Sequence, residues 1–386
     1  MNAYVKRDLY LNRLIVRRDN GQIKAITGPR RSGKSFLLDP IYKDYLISKG
    51  VPEDNIIIIS FDIEDEDTPQ ELLDREKLKE YLYSRIASQT ENYYVFLDEI
   101  QEVDGFERIV NGLNKRQNVD VYVTGSNSKF LSSEINTIFR GRSDEVSVLP
   151  FTFREFCQDR QESVNDLWKE YYTYGGLPAL RKMPTAEQKT TYLQKLWKKT
   201  YLDDVVERHN VENREALEAI ADALCSSIGS LTNTTRITNT LGSVRKIKIT
   251  DDTVAKYIGY LEEAFLFNEA RRYNIKGNRY YENIKKYYSI DVGLRNARLN
   301  YRQLEQTHLM ENIIFNELLY RGYVVDVGVV EHRKMVDGKS EYKQYEVDFI
   351  ATDGHEKYYI QSAYEIETEE KREQELNSLK RIDDSF

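Results

Sequence analysis

The stretch AITGPRRSGKSFLL, residues 25–38, places two glycines and a Gly-Lys-Ser ending directly after a short apolar run. Its middle part fits the pattern GxxxxGK[ST], which needs a strand before it and a helix after it. Glycines let backbone N–H groups close around phosphate oxygens, and the N-terminus of a helix favours negative charge. The pattern therefore predicts a nucleoside-triphosphate site formed by Gly28, Pro29, Arg30, Arg31, Ser32, Gly33, Lys34 and Ser35.

A second stretch, YYVFLDEIQEV at residues 93–103, ends an apolar run with two adjacent carboxylates, Asp98 and Glu99. Ligands of open α/β sheets bind at the carboxyl ends of the strands, so these carboxylates should face the phosphate loop. We expect Lys34 to reach the β- and γ-phosphates, and Ser35 and Asp98 to hold Mg²⁺. Glu99 then orients the attacking water, and the predicted cofactors are ATP and Mg²⁺.

Five short runs rich in Val, Ile and Tyr alternate with longer mixed segments, such as 34–49 and 70–88, that have helical length and spacing. The runs lack a clean alternation of apolar and polar residues, which is typical of strands buried on both faces. They comprise residues 23–27, 55–60, 93–97, 119–124 and 145–149. The pattern predicts an α/β domain in which a parallel five-stranded sheet lies between two layers of helices.

With this arrangement of strands, two further groups of polar residues become candidates for the nucleotide site. Thr124, Ser126 and Asn127 end the fourth run, and they lie beside the γ-phosphate if that strand lies between the two motif strands. Asn127 is then predicted to hydrogen-bond the attacking water, and a plain strand-to-loop turn is the alternative. Arg140 and Arg142 precede the fifth run, where an arginine can serve the γ-phosphate of a neighbouring subunit. Of the two, Arg142 is the better candidate for that role, and an ordinary surface position is the alternative.

Taken together, these stretches resemble the AAA+ superfamily of P-loop ATPases, and more closely its bacterial and archaeal ATP-binding proteins with a C-terminal domain of unknown function, DUF4143. The matching stretches keep the family's order and are IKAITGPRRSGKS, VFLDEIQEV, VYVTGSNSKFL, FRGRSDEVSVLPFTFREF, YYTYGGLPAL, TVAKYIGYLEEAFLF and YEVDFIA with YYIQSAY. The resemblance implies an AAA+ P-loop domain at 1–150, a helical lid at 151–230, a winged-helix-like region at 231–300 and a nuclease-like α/β domain at 301–386.

The resemblance also suggests a role for Gly175-Gly176-Leu177-Pro178. This sequence is similar to the Gly-x-Pro lid element of signal-transduction and origin-recognition-like ATPases, in which the proline lies near the adenine. Pro178 is therefore predicted to contact the nucleotide. The alternative is a simple helix break, because proline after two glycines ends a helix in any case.

Periodicity and family resemblance both indicate a winged-helix module, with residues 250–266 as its recognition helix. This helix would present Lys256 and Tyr260 outward to nucleic acid. Residues 236–286 hold 11 Lys and Arg against 6 Asp and Glu, which favours a DNA contact. The acidic pair at residues 251–252 opposes it, and a module that binds a protein partner is the alternative.

The last segment resembles a PD-(D/E)xK nuclease fold, with Glu311 and Glu317 on a helix, Asp348 on a strand and Gln361 on the next strand. Such nucleases hold Mg²⁺ with the acids and place a lysine two residues after the Glu or Gln. Ala363 occupies that position here, so we expect a degenerate fold that binds rather than cleaves. The family usually adds another strand at this end, and a truncated C-terminus is therefore also expected.

The composition of the chain argues against several classes of protein. The net charge of −8 argues against a protein that coats nucleic acid over its whole surface, and two cysteines and four scattered histidines argue against a disulfide framework or a zinc site. No signal peptide is visible and no apolar run approaches the roughly 20 residues of a membrane span, so we expect a cytoplasmic protein without a membrane partner.

Two functional hypotheses remain, with a third below them. The first is a Mg²⁺-dependent ATPase that acts as a nucleotide-driven switch on DNA or on a protein partner, including a second copy of itself. The second is a DNA-binding regulatory or defence-related module in which ATP only fixes a conformation. An active nuclease is the third hypothesis, and Ala363 argues against it.

Overall fold

The computed structural model describes residues 4–62, 69–125, 138–139, 141–336 and 339–382. The chain divides into two compact units, Met1–Arg160 and Gln161–Phe386, here called the N-terminal unit and the C-terminal unit. Each unit has its own sheet and its own apolar core.

Five parallel strands form the sheet of the N-terminal unit. They are β1 (Ile23–Thr27), β2 (Ile56–Ser60), β3 (Tyr93–Asp98), β4 (Val119–Thr124) and β5 (Ser143–Ser147). Their order across the sheet is β2-β3-β4-β1-β5, so the predicted parallel five-stranded sheet is confirmed and β4 lies between the two motif strands. β5 begins two residues before the predicted run, because an edge strand tolerates the half-buried polar side chains of its first three residues.

Helices cover both faces of this sheet. They are α1 (Asp8–Arg17), α2 (Lys34–Phe36), α3 (Lys43–Ser48), α4 (Arg75–Arg85), α5 (Phe106–Leu113) and α6 (Phe153–Phe156). Short 3₁₀ turns occupy Glu53–Asn55, Gln70–Leu73 and Ile100–Glu102, and a π-helical turn occupies Leu37–Tyr42. Val95 and Val121 join the core that contains α4 and α5, whereas the neighbouring Phe96 and Tyr122 contact the ring of Tyr42 on the other face.

The segment predicted as one helix over 34–49 is interrupted in its middle. Asp39 has φ −130° and ψ 115°, which is extended backbone inside the helical run. Pro40 explains the interruption, because the proline ring disfavours the helical conformation of the residue before it and removes one N–H donor.

An ion pair is buried on the face of the sheet that carries Tyr42. The ammonium of Lys24 contacts the carboxylate of Asp120, and neither residue is more than 6% exposed. The hydroxyl of Tyr122 donates to Asp120 Oδ2 at 2.7 Å and shares a 2.7 Å hydrogen bond with the Tyr42 hydroxyl. Because both charges are paired and hydrogen-bonded, the network tolerates burial that an isolated charge would not.

The C-terminal unit has a mixed sheet made of β6 (Phe267–Asn274), β7 (Arg279–Ser289), β8 (Val324–Val336), β9 (Lys339–Thr352) and β10 (Lys357–Ile360). Their order is β10-β9-β8-β6-β7, in which β6 and β8 are parallel and the other pairs antiparallel. The hairpin of β6 and β7 thus belongs to the same sheet as the three C-terminal strands. The predicted divisions at residues 230 and 300 remain predictions.

Helices account for most of the rest of this unit. They are α7 (Val164–Tyr174), α8 (Ala186–Lys195), α9 (Asp203–Arg208), α10 (Arg214–Ser226), α11 (Thr234–Thr240), α12 (Asp251–Glu263), α13 (Val292–Arg298), α14 (Gln306–Arg321) and α15 (Glu369–Leu379). A 3₁₀ turn spans Pro178–Lys182, and π-helical turns span Leu196–Leu202 and Leu241–Arg245. Their largest apolar core surrounds Trp197. Within the described residues, no helix has both the length and the apolar character needed to cross a membrane.

Candidate nucleotide site

The loop between β1 and α2 begins with a glycine that no other residue can replace without a clash. Gly28 has φ +129°, and a Cβ built on it would lie 2.2 Å from the carbonyl oxygen of Val148. The loop therefore packs directly against the backbone that follows β5. This close approach gives a physical reason for the first glycine of the motif.

The rest of the loop turns twice through the left-handed region before the helix starts. Arg31 has φ +63° and Gly33 has φ +91°, and between them Ser32 is fully buried. α2 then begins at Lys34. Backbone N–H groups at such a turn before a helix form a concave site for anions.

Lys34 is buried at the centre of this loop. Its ammonium donates to the carbonyl oxygens of Gly28 and Pro29, at 3.1 Å each, and lies 3.9 Å from Glu99 Oε1. Burial lowers the pKa of Lys34, while the nearby carboxylates of Glu99 and Asp98 act in the opposite direction. A buried ammonium that donates to backbone carbonyl oxygens can exchange these hydrogen bonds for stronger ones to phosphate oxygens.

Asp98 links the phosphate loop to two strands. Its Oδ1 accepts hydrogen bonds from Ser35 Oγ at 3.0 Å and from Thr124 Oγ1 at 2.6 Å. Burial raises the pKa of Asp98, and these two hydrogen bonds oppose that rise. The sheet order thus brings together the predicted residues Ser35, Asp98 and Thr124.

Glu99 adopts a left-handed backbone conformation, with φ +51°. Its backbone N–H donates to Thr124 Oγ1 at 2.9 Å, and its Oε2 accepts a hydrogen bond from the side-chain amide of Gln101. Gln101 is buried, and the sequence analysis did not single it out. The only sign of this contact in the sequence was a glutamine two residues after the acidic pair.

Arg7 is a second residue at the site that the sequence analysis did not identify. Its guanidinium donates to the carbonyl oxygen of Ser32 at 2.9 Å and pairs with both carboxylate oxygens of Glu155. The two partners lie 25 and 148 residues away in sequence, so local patterns contain no sign of either contact.

The donor set fits a magnesium-bound triphosphate. The glycine cradle and the ammonium of Lys34 suit phosphate oxygens, and the hydroxyl of Ser35 and the carboxylate of Asp98 are the hard oxygen ligands that Mg²⁺ prefers. Among the described residues, no three His, Cys, Asp or Glu side chains are grouped so that they could hold a metal ion. Mg²⁺ would therefore need phosphate and water oxygens to complete its shell, as is usual for this ion.

Four of the other predicted residues of this unit lie away from the loop or outside the described residues. Arg142 is exposed and directly precedes β5, whose first residue Ser143 pairs with Ile23 at the start of β1. The phosphate loop follows the other end of β1, about 13 Å away at 3.3 Å per residue. Arg142 therefore lies at the opposite edge of the sheet from Lys34. Ser126, Asn127 and Arg140 lie outside the described residues.

Pro178 begins a 3₁₀ turn in the C-terminal unit, two residues after Gly176. Gly175 has φ +82°, and a Cβ on it would lie 2.1 Å from a carboxylate oxygen of Asp291. The N–H of Gly176 donates to Asp291 Oδ2 at 2.7 Å. Gly175 is thus required for the close approach of a buried carboxylate, and the contact of Pro178 with adenine remains a prediction.

The two predicted nucleic-acid contacts differ in their exposure. Lys256 is exposed on α12, whereas Tyr260 is half-buried and stacks on His209 with 3.7 Å between the ring centroids. Burial lowers the pKa of His209, and the neighbouring Arg208 adds to this effect. One face of the Tyr260 ring is therefore covered by the protein itself.

The predicted nuclease-like residues lie on the sheet of the C-terminal unit and on α14. Glu311 is buried and accepts hydrogen bonds from Lys286 Nζ at 2.9 Å and from Tyr288 at 2.7 Å. Asp348 accepts from the backbone and hydroxyl of Ser362. Burial raises the pKa of Glu311, and Lys286 opposes that rise. Lys286 was not among the predicted residues.

The two remaining residues of that prediction make local contacts. Gln361 directly follows β10 instead of lying within it, and its side chain contacts Glu375 and Ser378. Glu317 forms an ion pair with Arg321 one helical turn away on α14. This pair is an ordinary contact of a helix surface.

Two regions of the chain match known domain families. Residues 20–157 match an AAA domain, and residues 165–305 match a domain of unknown function, DUF8612. The prediction of a DUF4143 domain is therefore wrong. The stretches YYTYGGLPAL and TVAKYIGYLEEAFLF, on which that expectation partly rested, lie within residues 165–305 and belong to DUF8612.

Relatives extend over most of the chain. An uncharacterized protein of Haemophilus influenzae is 35% identical over 389 residues, which cover 100% of this chain and 92% of that protein. One from Methanocaldococcus jannaschii is 30% identical over 366 residues, which cover 91% and 77%. A solved Walker-type ATPase of Pyrococcus abyssi has a TM-score of 0.53 at 15% identity, covers 77% of this chain and 96% of that chain, and is alike in fold alone. This chain belongs to the family of the Haemophilus and Methanocaldococcus proteins, and its N-terminal part is an AAA domain with a P-loop ATPase fold.

Proposed function

We propose that this AAA-domain protein binds ATP with Mg²⁺ at residues 28–35 and hydrolyses it. One observation carries the proposal: the ammonium of Lys34, the hydroxyl of Ser35 and the two carboxylates of Asp98 and Glu99 meet at one end of the sheet. These are the groups that phosphoryl transfer to water requires, namely a phosphate clamp, a metal-holding pair and a group that can orient water.

Each group has a distinct task in this proposal. The loop N–H groups and Lys34 bind phosphate oxygens, and Lys34 also stabilises the negative charge that develops on them during transfer. Ser35 and Asp98 hold Mg²⁺, which supplies charge neutralisation to the triphosphate when it is bound. The hydrogen bond between Ser35 and Asp98 already orients these two ligands toward each other.

Glu99 is the proposed residue that accepts the proton of the attacking water or orients that water. Two contacts hold it, because its backbone N–H donates to Thr124 and its side chain accepts from Gln101. Asn127 is proposed to hydrogen-bond the same water. The expected proximity of Asn127 to this water follows from its place three residues after the end of β4.

ATP turnover is proposed to switch the rest of the protein. In this proposal, Pro178 of the lid contacts the adenine, and Arg142 serves the γ-phosphate of a neighbouring copy. The position of Arg142 supports a role between copies, because it lies at the edge of the sheet opposite its own phosphate loop. A homo-oligomer is therefore part of the proposal.

DNA is the proposed partner of the winged-helix-like region, and a protein partner is the alternative. Lys256 supports the DNA contact because it is exposed on α12 within a region of basic surplus. Tyr260 supports it less, because the ring is half-buried and stacks on His209. DNA affinity measured at two salt concentrations for Lys256→Ala and for Lys195→Ala, an exposed lysine of α8, tests the assignment. A salt slope near zero in the wild-type protein excludes nucleic acid.

A second function, ATP binding without turnover, is favoured by the contacts of Glu99. This carboxylate accepts a hydrogen bond from Gln101 and lies 3.9 Å from the ammonium of Lys34. Both partners hold the carboxylate in place, and they compete with water for it. In this alternative, ATP fixes a conformation and hydrolysis is incidental.

The domain that carries Glu311, Asp348 and Gln361 is proposed to be a degenerate nuclease-like fold that binds rather than cleaves. Ala363 leaves the usual lysine position without a charge, and Lys286 is paired with Glu311 and with Glu346 at 2.7 Å. Mg²⁺-dependent cleavage of DNA that disappears in Asp348→Ala contradicts this part of the proposal.

Two measurements test the ATPase proposal. Titration calorimetry with Mg·ATP should give binding heat for the wild-type protein and none for Lys34→Ala. Phosphate release should then fall by about 100-fold in Glu99→Gln, because removal of a group that takes or directs a proton costs on the order of 10² to 10⁴ in rate. Equal rates in the wild type and Glu99→Gln favour ATP binding without catalysis by Glu99. No heat with the wild-type protein removes both functions.

A further inference from the structure

The guanidinium of Arg7 connects three separate segments of the N-terminal unit. Arg7 directly precedes α1, and it is 2% exposed. It donates to the carbonyl oxygen of Ser32 at 2.9 Å, to the carbonyl oxygen of Leu149 at 2.8 Å, and to both carboxylate oxygens of Glu155 at 3.2 Å. One side chain thus joins the phosphate loop, the segment after β5 and the helix α6.

A buried guanidinium is stable only when its charge is paired and its N–H groups are hydrogen-bonded, and both conditions hold for Arg7. Glu155 pairs with it through both oxygens, and this carboxylate is itself fixed, since its Oε2 accepts the backbone N–H of Thr152 at 3.1 Å. The guanidinium carbon also lies 4.5 Å from the ring centroid of Tyr10 and 5.1 Å from that of Phe151. These contacts set the orientation of Arg7 before it reaches the loop.

The contact with Ser32 determines the direction of an N–H group in the loop. A trans peptide is planar, so the carbonyl of Ser32 and the N–H of Gly33 point in opposite directions within one plane. By holding the carbonyl on its own side, Arg7 turns the N–H of Gly33 away from itself. The residue that follows this plane is Gly33, with φ +91°, and glycine has more backbone freedom than any other residue, so the plane can flip unless it is held.

We propose that Arg7 is a positioning residue of the nucleotide site, which holds the peptide between Ser32 and Gly33 so that its N–H faces the phosphates. This inference rests on the proposed binding of ATP at the loop. Arg7 acts through the backbone and does not touch the nucleotide. Its chemistry suits the task, because a planar guanidinium with several fixed donors can hold a carbonyl and a carboxylate at the same time, whereas an ammonium cannot reproduce that geometry.

The expected kinetic effect separates positioning from catalysis. A hydrogen bond from the Gly33 N–H to a phosphate oxygen is present both in the bound substrate and in the transition state. Its loss therefore weakens binding without slowing the chemical step. Arg7→Lys and Arg7→Met should therefore raise KM and the Kd of Mg·ATP and Mg·ADP by about tenfold, since one hydrogen bond to a charged group is worth that factor. kcat should stay within about threefold of the wild-type value.

Tyr10→Phe is the matched control, because it keeps the ring that packs against the guanidinium of Arg7 and removes only the hydroxyl. The hydroxyl of Tyr10 accepts the N–H of Leu149 at 2.9 Å, so its removal disturbs the same buried region without a contact to Ser32. We expect Tyr10→Phe to lower the midpoint of thermal unfolding and to leave KM unchanged. The measurements are steady-state phosphate release, titration calorimetry and thermal unfolding of all four proteins. Should Arg7→Met not fold, Arg7→Lys, which keeps the charge beside Glu155, supplies the result.

The outcomes distinguish this inference from the function on which it rests. Wild-type protein that binds no Mg·ATP overturns both. Wild-type binding together with an unchanged KM in the Arg7 variants overturns the positioning role alone. The same is true if Tyr10→Phe raises KM as much as Arg7→Lys does, because the effect then follows general destabilisation.

Discussion

The hydroxyl of Thr124 donates to Asp98 Oδ1 at 2.6 Å, and the same oxygen of Thr124 accepts the backbone N–H of Glu99 at 2.9 Å. One side chain at the end of β4 therefore fixes both acidic residues at the end of β3. Because the strands are neighbours in the sheet, this contact links the fold directly to the chemistry of the site.

Thr124→Val removes the hydroxyl and keeps the shape of the side chain. Asp98 then loses one of its two hydrogen bonds, and the N–H of Glu99 loses its acceptor in a buried place. We expect phosphate release to fall by about tenfold and the Mg²⁺ concentration for half-maximal activity to rise, since each lost hydrogen bond is worth about 1 kcal/mol or more. Steady-state assays over a Mg²⁺ series measure both effects. Activity and Mg²⁺ dependence equal to those of the wild type would show that the hydroxyl has no part in the site.

Gly28→Ala tests the close approach of the loop to the segment after β5. The added Cβ would meet Val148 O at 2.2 Å, so one of the two chains must move. Gly21→Ala is the matched control, because Gly21 also has a positive φ, +73°, but nothing lies within 4 Å of its Cβ position. The control should lose only about 1 to 2 kcal/mol of stability from its left-handed backbone.

We expect Gly28→Ala to lose Mg·ATP binding by calorimetry and Gly21→Ala to keep it. Far-UV circular dichroism during urea unfolding should also show that Gly28→Ala is the less stable of the two. If both variants bind nucleotide alike, the loop accommodates a side chain at position 28 and the packing argument is wrong.

The first four strands of the N-terminal unit were predictable because their sequences are mostly apolar, whereas the start of the more polar edge strand β5 was predicted two residues too late. A run such as YYVFL has only one stable place in a folded protein, between two layers, and that property is local. The phosphate loop was predictable for a similar reason, since its glycines and its Lys-Ser ending are adjacent in sequence. Asp98 and Glu99 followed once β3 was recognised.

The contacts that depend on distant partners were not predictable. Arg7 meets Glu155 across 148 residues, and both are common charged residues in mixed segments. The hairpin of β6 and β7 was also not identified as part of the last sheet, because RYYENIKK is polar and mostly exposed or half-buried, without the apolar run that marked the first five strands. Its pairing with the C-terminal strands comes from tertiary structure.

Gln101→Leu tests how Glu99 is held. The amide of Gln101 donates to Glu99 Oε2, and loss of this donor frees the carboxylate to leave its orientation toward the site. We expect kcat to fall by about tenfold while the Kd of Mg·ATP stays within twofold, because a misplaced group loses catalysis without loss of substrate contacts. Single-turnover phosphate release and calorimetry separate the two quantities. An increase in kcat would mean that Gln101 holds Glu99 away from water, which supports ATP binding without turnover in the wild type.

Asp291 makes the stability of the C-terminal unit depend on pH. This carboxylate directly precedes α13, where it accepts the N–H of Leu294 at 3.0 Å and that of Gly176 at 2.7 Å. Burial raises its pKa to about 6 from the model-compound value of 3.8, and the backbone N–H groups oppose that rise. The folded state therefore binds more protons than the unfolded state between these two values, so the contribution of Asp291 to stability falls as pH rises through this range.

Asp291→Asn supplies a reference that does not titrate. Relative to this variant, the wild-type protein should gain about 1.4 kcal/mol of unfolding free energy between pH 7.5 and pH 5.0, which follows from a folded pKa near 6. Urea unfolding followed by tryptophan fluorescence measures the gain, because Trp168 and Trp197, the two tryptophans of the chain, both lie in the C-terminal unit. If the difference in unfolding free energy between the two proteins stays constant with pH, or if the wild-type protein gains stability toward pH 7.5, burial does not raise the pKa of Asp291.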